Sequence, residues 1–139
     1  MRARANNALV KVIDTATEYG MPVLAMAYTR DYNADNPDGF AEALGHAARL
    51  GEELEADIIK TEYFGTPDSF ERIVESTRLP VLIAGGSKGT DKETLSMVQS
   101  AVEVGVAGVS MGRSIFQHKN SRKYHNCGIC NHSRRCINN

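Results

Sequence analysis

Ala56-Asp57-Ile58-Ile59-Lys60-Thr61-Glu62-Tyr63 is the stretch on which the fold turns. So short an apolar run predicts a strand buried on both faces, as strands of parallel sheets are. Lys60 is out of place there as mere solvation. An amine ordinarily titrates near ~10.4, and burial lowers that value because the charged form loses its hydration. A neutral amine at a strand end can attack a carbonyl and form a Schiff base. The alternative is a lysine that snorkels from a core strand to solvent.

Working outward, three more apolar runs predict strands at residues 22–28, 80–84 and 106–111, so the four strands start near 22, 56, 80 and 106. Helical patterns separate them. Residues 8–19 place Leu9, Val12, Ile13 and Ala16 on one face, and Gly20 supplies the stop. A loop over residues 29–38 carries the turn signal Asn36-Pro37-Asp38-Gly39. It leads into a second helix with Phe40, Leu44, Ala47, Leu50 and Leu54 on its apolar face. Thr66 as N-cap and Pro67 in the first turn open a third, whose Phe70, Ile73 and Val74 face inward. Thr90-Asp91-Lys92-Glu93 has capping-box spacing and opens a fourth, with Leu95, Val98, Ala101 and Val102 inward and Gly105 as its stop. Residues 114–117 suit a short final helix.

Strand and helix therefore alternate. The strands do not alternate polar and apolar, which predicts a parallel α/β sheet covered on both sides. Four such units suit a small open sheet or half of an eight-stranded barrel. A whole barrel takes about 250 residues, more than the 139 of this chain.

A content of 42% hydrophobic and 24% charged residues fits one ordinary globular domain. No apolar run approaches the ~20 residues of a membrane span, and no signal-peptide core follows the basic start. A cytoplasmic location is expected, with no membrane partner. The net charge of −1 conceals a break. Residues 1–117 hold 11 Lys and Arg against all 17 acids, a net charge of −6, while residues 118–139 hold five basic residues, no acid and all three cysteines. The body has no basic stripe of the kind that binds nucleic acid.

Each predicted strand ends in polar or glycine-rich sequence: Tyr28 with Arg30, Lys60 with Glu62, Gly85-Gly86-Ser87-Lys88, and Gly112-Arg113-Ser114. Parallel α/β folds gather their strand C-termini on one rim, where active sites lie. The four clusters are thus expected to converge. The two glycine-rich ends suit an anion cradle, since glycine lets backbone N–H groups approach phosphate oxygens and a helix N-terminus adds a favourable dipole. Arg113 can clamp a phosphate with two hydrogen bonds. For one pair alone an ordinary strand-to-helix turn explains the glycines; two pairs on consecutive strands favour the cradle. Tyr28 is either a proton-transfer group or an aromatic cap over the core. Glu62 shares a side with Lys60 by the period of two, and either orients the amine or sits in water. Asp31, Asp35 and Asp57 are expected at the surface.

Five segments together resemble a known family: residues 20–28 (GMPVLAMAY), 46–50 (HAARL), 56–61 (ADIIKT), 83–86 (IAGG) and 112–118 (GRSIFQH). In that order and spacing they are similar to the archaeal-type class I fructose-bisphosphate aldolases. They are equally similar to the 2-amino-3,7-dideoxy-D-threo-hept-6-ulosonate (ADH) synthases of archaeal aromatic biosynthesis. The resemblance spans roughly residues 8–122. It implies the C-terminal half of a TIM (β/α)8 barrel, strands five to eight, over residues 1–117. It implies Lys60 as the Schiff-base lysine, Tyr28 as acid/base, and Gly85, Gly86, Ser87, Gly112 and Arg113 as ligands of a sugar phosphate. It implies no metal and no cofactor, because the protonated imine is the electron sink, and a homo-oligomer for the full-length protein. The expected reaction is reversible aldol cleavage of fructose 1,6-bisphosphate, with the transaldolase-type ADH synthase as the second reading. A non-catalytic phosphate-binding half-barrel is a third reading, of another class. Two features depart from the family. Its catalytic aspartate on strand one would lie upstream, and Thr29 stands where a proline usually precedes the arginine.

In the basic tail, residues 118–139, Cys127, Cys130, His132 and Cys136 are spaced more tightly than common zinc modules, whose ligand pairs flank a longer loop. A shift of reading frame near Lys123 is the sharper expectation. Reading one base later forces Ile or Thr at triplets starting in Tyr124, His125, Asn126, Asn131 and His132, and Val or Ala at those starting in Cys127 and Cys130. That composition resembles the family's last helix.

Overall fold

A computed structural model describes residues 2–29, 37–63, 66–85 and 90–122. The tail from 123 onward, with its four metal-ligating residue types and the suggested frame shift, lies outside the described residues. So do Arg30, Gly86, Ser87 and Lys88.

Helices and strands alternate as α1 (Arg2–Glu18), β1 (Leu24–Met26), α2 (Pro37–Glu53), β2 (Ile58–Glu62), α3 (Pro67–Glu75), β3 (Val81–Ala84), α4 (Asp91–Glu103), β4 (Gly108–Ser110) and α5 (Arg113–Phe116). All strand pairs are parallel, in the order β1-β2-β3-β4. The locally encoded signals hold. Thr66 accepts from the Ser69 N–H, with Pro67 in the first turn of α3. Thr90 and Glu93 form a reciprocal capping box on α4. Gly20 and Gly105 end their helices at φ +62° and +92°, values that favour glycine.

Burial corrects the expectation of a sheet covered on both sides. Ala25, Ala27, Ile59, Thr61, Val81 and Ile83 are buried and form the core with Ile13, Leu44, Phe70, Ile73 and Ala101 of the helices. The opposite face is open: Leu24 and Met26 are exposed, and Ile58, Lys60 and Leu82 are only half-buried. Apolar residues on both faces of a strand record two apolar surroundings, and these four strands supply only one. Val12 and Leu50, expected inward, are exposed, whereas Ala41 and Ala48 are buried, so α2 meets the sheet along a seam of small residues. At Gly51 an added Cβ would stand 2.5 Å from the Ile59 δ1 methyl, which is how closely α2 crosses β2.

Two carboxylates set the frame. The Val23 N–H donates to Asp57 Oδ2 at 2.7 Å while the Val23 carbonyl accepts from the Asp57 and Ile58 amides. Asp57 is exposed, as expected, and it also starts the β1–β2 pairing. Glu52, near the end of α2, accepts from the Arg78 N–H at 2.9 Å, the Arg78 Nε at 2.7 Å and the Thr77 hydroxyl at 2.8 Å. These donors, the backbone N–H foremost, hold its carboxyl at about 2 against an ordinary 4.5, with burial opposing. A carboxyl whose folded value is depressed stabilises the fold above its ordinary value and loses that contribution as pH falls towards the folded one. Glu52→Gln should therefore lower the thermal midpoint at neutral pH and flatten its decline between about pH 4.5 and 2. Parallel midpoint curves for the two proteins across that window would show that Glu52 is not the group responsible.

Thr61 is fully buried on the helix-covered face, and among the described residues its hydroxyl has no hydrogen-bond partner. An unsatisfied buried polar group costs ~1–3 kcal/mol, and an apolar group of the same shape removes that cost. Thr61→Val should stabilise the chain by about 1 kcal/mol. Urea unfolding measures it, and a lower midpoint would contradict it.

Candidate active site

Register and alternation assemble the candidate site. Met26 pairs with Lys60, Lys60 with Leu82, and Leu82 with Gly108, one row across all four strands. Ile59 and Thr61 point into the helix layer, so Ile58, Lys60 and Glu62 point to the open face. The ladder continues past β1 through the Ala27 N–H to the Lys60 carbonyl at 2.8 Å. Ala27 is buried and Tyr28 is 42% exposed, which puts Tyr28 on the face of Lys60. One step further towards the strand C-termini, Glu62 pairs with Ala84 and Ala84 with Ser110. Gly85 follows Ala84 directly, and Gly112 and Arg113 follow Ser110 by two and three residues. The described members of the predicted set therefore share the C-terminal rim of the sheet. Gly86 and Ser87 lie outside the described residues.

Tyr28 carries the clearest electrostatic signature. Partial burial raises its phenol above the ordinary 10, and the nearby Glu62 carboxylate raises it further by disfavouring a phenolate. At neutral pH Tyr28 is a phenol with a proton to give. Glu62, left outside the candidate site on sequence grounds, is thus a neighbour of Tyr28. The signal was the period of two, which puts Glu62 on the side of Lys60, but the pairing with β1 was needed to bring Tyr28 beside it.

The two glycine-rich ends differ. Gly112 precedes α5 without a side-chain cap, and a Cβ there would meet the Phe116 ring at 3.0 Å. The exposed Phe116 ring would have to give by a few tenths of an ångström to admit a side chain at 112. Arg113, at the start of α5, is exposed and able to reach a ligand. The start of α4 is more closed: the Thr90 N–H donates to Glu93, and Asp91 and Glu93 stand in the first turn. Acids there stabilise the helix dipole and oppose an approaching anion.

Among the described residues no group of three or more His, Cys, Asp or Glu is placed to hold a metal ion. Among the same residues no helix is long and apolar enough to cross a membrane.

The DeoC/LacD family aldolase pattern matches residues 2–118. The chain is 51% identical over 111 residues to the 2-amino-3,7-dideoxy-D-threo-hept-6-ulosonate synthase of Halobacterium salinarum, covering 80% of this chain and 41% of that one. It is 43% identical over 105 residues to 2-amino-3,7-dideoxy-D-threo-hept-6-ulosonate synthase 1 of Archaeoglobus fulgidus, covering 76% and 38%. Among solved structures it is similar, with a TM-score of 0.80 and 25% identity over 91% of this chain and 51% of the other, to an archaeal fructose-1,6-bisphosphate aldolase. The catalytic lysine of that aldolase is covalently bound to the carbinolamine intermediate of the substrate. The chain spans about two fifths of the length of these curated relatives and about half of the solved aldolase.

Proposed function

Because the chain belongs to the DeoC/LacD aldolase family, we propose that it carries the Schiff-base half of an aldolase site, with Lys60 as nucleophile, Tyr28 as proton donor, and Gly85, Gly86, Ser87, Gly112 and Arg113 holding the phosphate of a keto sugar. The observation that carries this reading is the placement of Lys60 and Tyr28 on one open face of adjacent parallel strands, at the end where the glycine-rich segments begin. Lys60 Nζ adds to the substrate carbonyl to give a carbinolamine. Tyr28 gives a proton to its hydroxyl, which leaves as water, and an iminium remains. The neighbouring C–C bond then breaks: the β-hydroxyl returns its proton to the Tyr28 phenolate and becomes the carbonyl of the departing fragment, the electron pair of the bond moves into the iminium, and an enamine is left on Lys60.

The open face fits four strands of an eight-stranded barrel whose other four cover Leu24, Met26 and Lys60. Enclosure of the amine then comes from outside this chain. Two fates of the enamine separate the two substrate readings. Protonation followed by hydrolysis of the iminium completes the cleavage of fructose 1,6-bisphosphate; attack on a second carbonyl, again followed by hydrolysis, is the transaldolase-type exchange of an ADH synthase. The curated relatives favour the second over the first.

The test joins residues 8–122 to the first four βα units of the Halobacterium salinarum relative and adds borohydride with a keto sugar phosphate. Reduction should leave a stable adduct, located on Lys60 by peptide mass spectrometry. If the joined barrel is folded and takes no adduct at Lys60, the Schiff-base assignment is wrong, and a phosphate-binding role without catalysis becomes the better reading.

A further inference from the structure

We propose that His118 is a positioning residue for the substrate phosphate: its hydrogen bond to Asp91 is a strut between α4 and the turn that carries Arg113. The proposal rests on the phosphate reading of Arg113. His118 Nε2 lies 2.9 Å from Asp91 Oδ2, and His118 Nδ1 accepts from the Asn120 N–H at 3.0 Å. With Nδ1 an acceptor, the ring proton sits on Nε2 and is donated to the carboxylate. Both ring nitrogens are used, so the ring has one orientation.

The strut connects a fixed body to a short segment. Asp91 is the first residue of α4, which is anchored in the core by Val98 and Ala101 and closed by its capping box. On the other side, the His118 N–H donates to the Ile115 carbonyl at 3.2 Å and the Gln117 N–H to the Arg113 carbonyl at 3.1 Å. The Ile115 and Phe116 amides both donate to the Gly112 carbonyl. These hydrogen bonds link residues 112–118 into one small unit. Four residues of helix cannot hold themselves in place, because an isolated turn costs more to nucleate than its few hydrogen bonds return. The bond to Asp91 holds this unit against the long helix.

Position matters here more than stability. Exposed pairs of this kind contribute ~0–1 kcal/mol to folding, and Asp91 is 61% exposed. A guanidinium that grips a phosphate with two bonds, however, works only at the right place, and an ångström of misplacement costs up to ~100-fold. The bond also fixes the Asp91 carboxylate in the first turn of α4. Glu93, the other acid of that turn, is already turned back onto the Thr90 N–H.

The test titrates the full chain with inorganic phosphate by 31P NMR and records thermal unfolding of each variant. His118→Leu and Asp91→Ala should each weaken phosphate binding about tenfold, with little change in unfolding midpoint. The double variant should be no worse than either single one, since both remove the same bond. His118→Gln, whose amide N–H can reach Asp91, should regain most of the affinity. Unchanged affinity in both single variants, additive losses, or failure of His118→Gln to recover would each overturn the proposal. If His118→Leu does not fold, Asp91→Ala and His118→Gln make the same comparison. Phosphate binding absent from the unsubstituted chain would overturn the phosphate reading of Arg113 and with it the role of His118, a failure visible without any variant.

Discussion

Lys60→Met should abolish the borohydride-trapped adduct and lower turnover of the joined barrel by on the order of 10⁴-fold or more, the scale seen when a covalent nucleophile is removed. Methionine keeps the length and apolar stem of lysine and lacks the nitrogen that adds to the carbonyl. It also suits the site, since Lys60 lies half-buried in a row between Met26 and Leu82. The variant should fold as the parent does, so lost turnover reports lost chemistry. Sugar-phosphate binding should survive, because the glycine-rich ends and Arg113 are untouched. An adduct of undiminished yield in Lys60→Met, carried by another lysine, would move the nucleophile elsewhere.

Tyr28→Phe should lower kcat by ~10²–10⁴, the usual contribution of a positioned general acid. The adduct should still form, more slowly, because Lys60 is intact and dehydration of the carbinolamine is the step that loses its proton source. The pH profile gives a second, independent reading. Burial and the Glu62 carboxylate both raise the Tyr28 phenol above its ordinary value, so the alkaline fall in kcat should lie above pH 10. Glu62→Gln removes the charge that opposes a phenolate. The alkaline limb should then move down, while the contribution of burial remains. Wild-type kcat in Tyr28→Phe, or a limb that stays in place in Glu62→Gln, would remove Tyr28 from the proton-transfer role.

Much of the architecture was legible because its causes are local. The capping box of Thr90 and Glu93, the Thr66-Pro67 start and the stops at Gly20 and Gly105 each depend on residues within one turn. The order of strands and the rim on which Tyr28, Lys60, Gly85, Gly112 and Arg113 meet follow from four apolar runs alternating with amphipathic helices. The five motif segments point to the aldolase family by themselves, although the curated relatives favour the ADH synthase reading over fructose-bisphosphate cleavage.

What was not legible depends on pairs distant in sequence. Asp57 bonds Val23 from 34 residues away and Glu52 bonds Arg78 from 26 residues away. Neither acid differs, in sequence, from one left in water. His118 reaches Asp91 across 27 residues.

The sequence by itself determined which segments become strands, where the helices begin and end, and which residue types stand at each strand end, because periodicity, capping and turn chemistry act over a few residues. Only the tertiary structure decided that Lys60 looks onto an open face, that Glu62 adjoins Tyr28, and that α4 and the Arg113 turn are joined through His118. Apolar pattern records that a face avoids water without recording what covers it, and the neighbour of a charge is set by register between strands and helices, not by position along the chain.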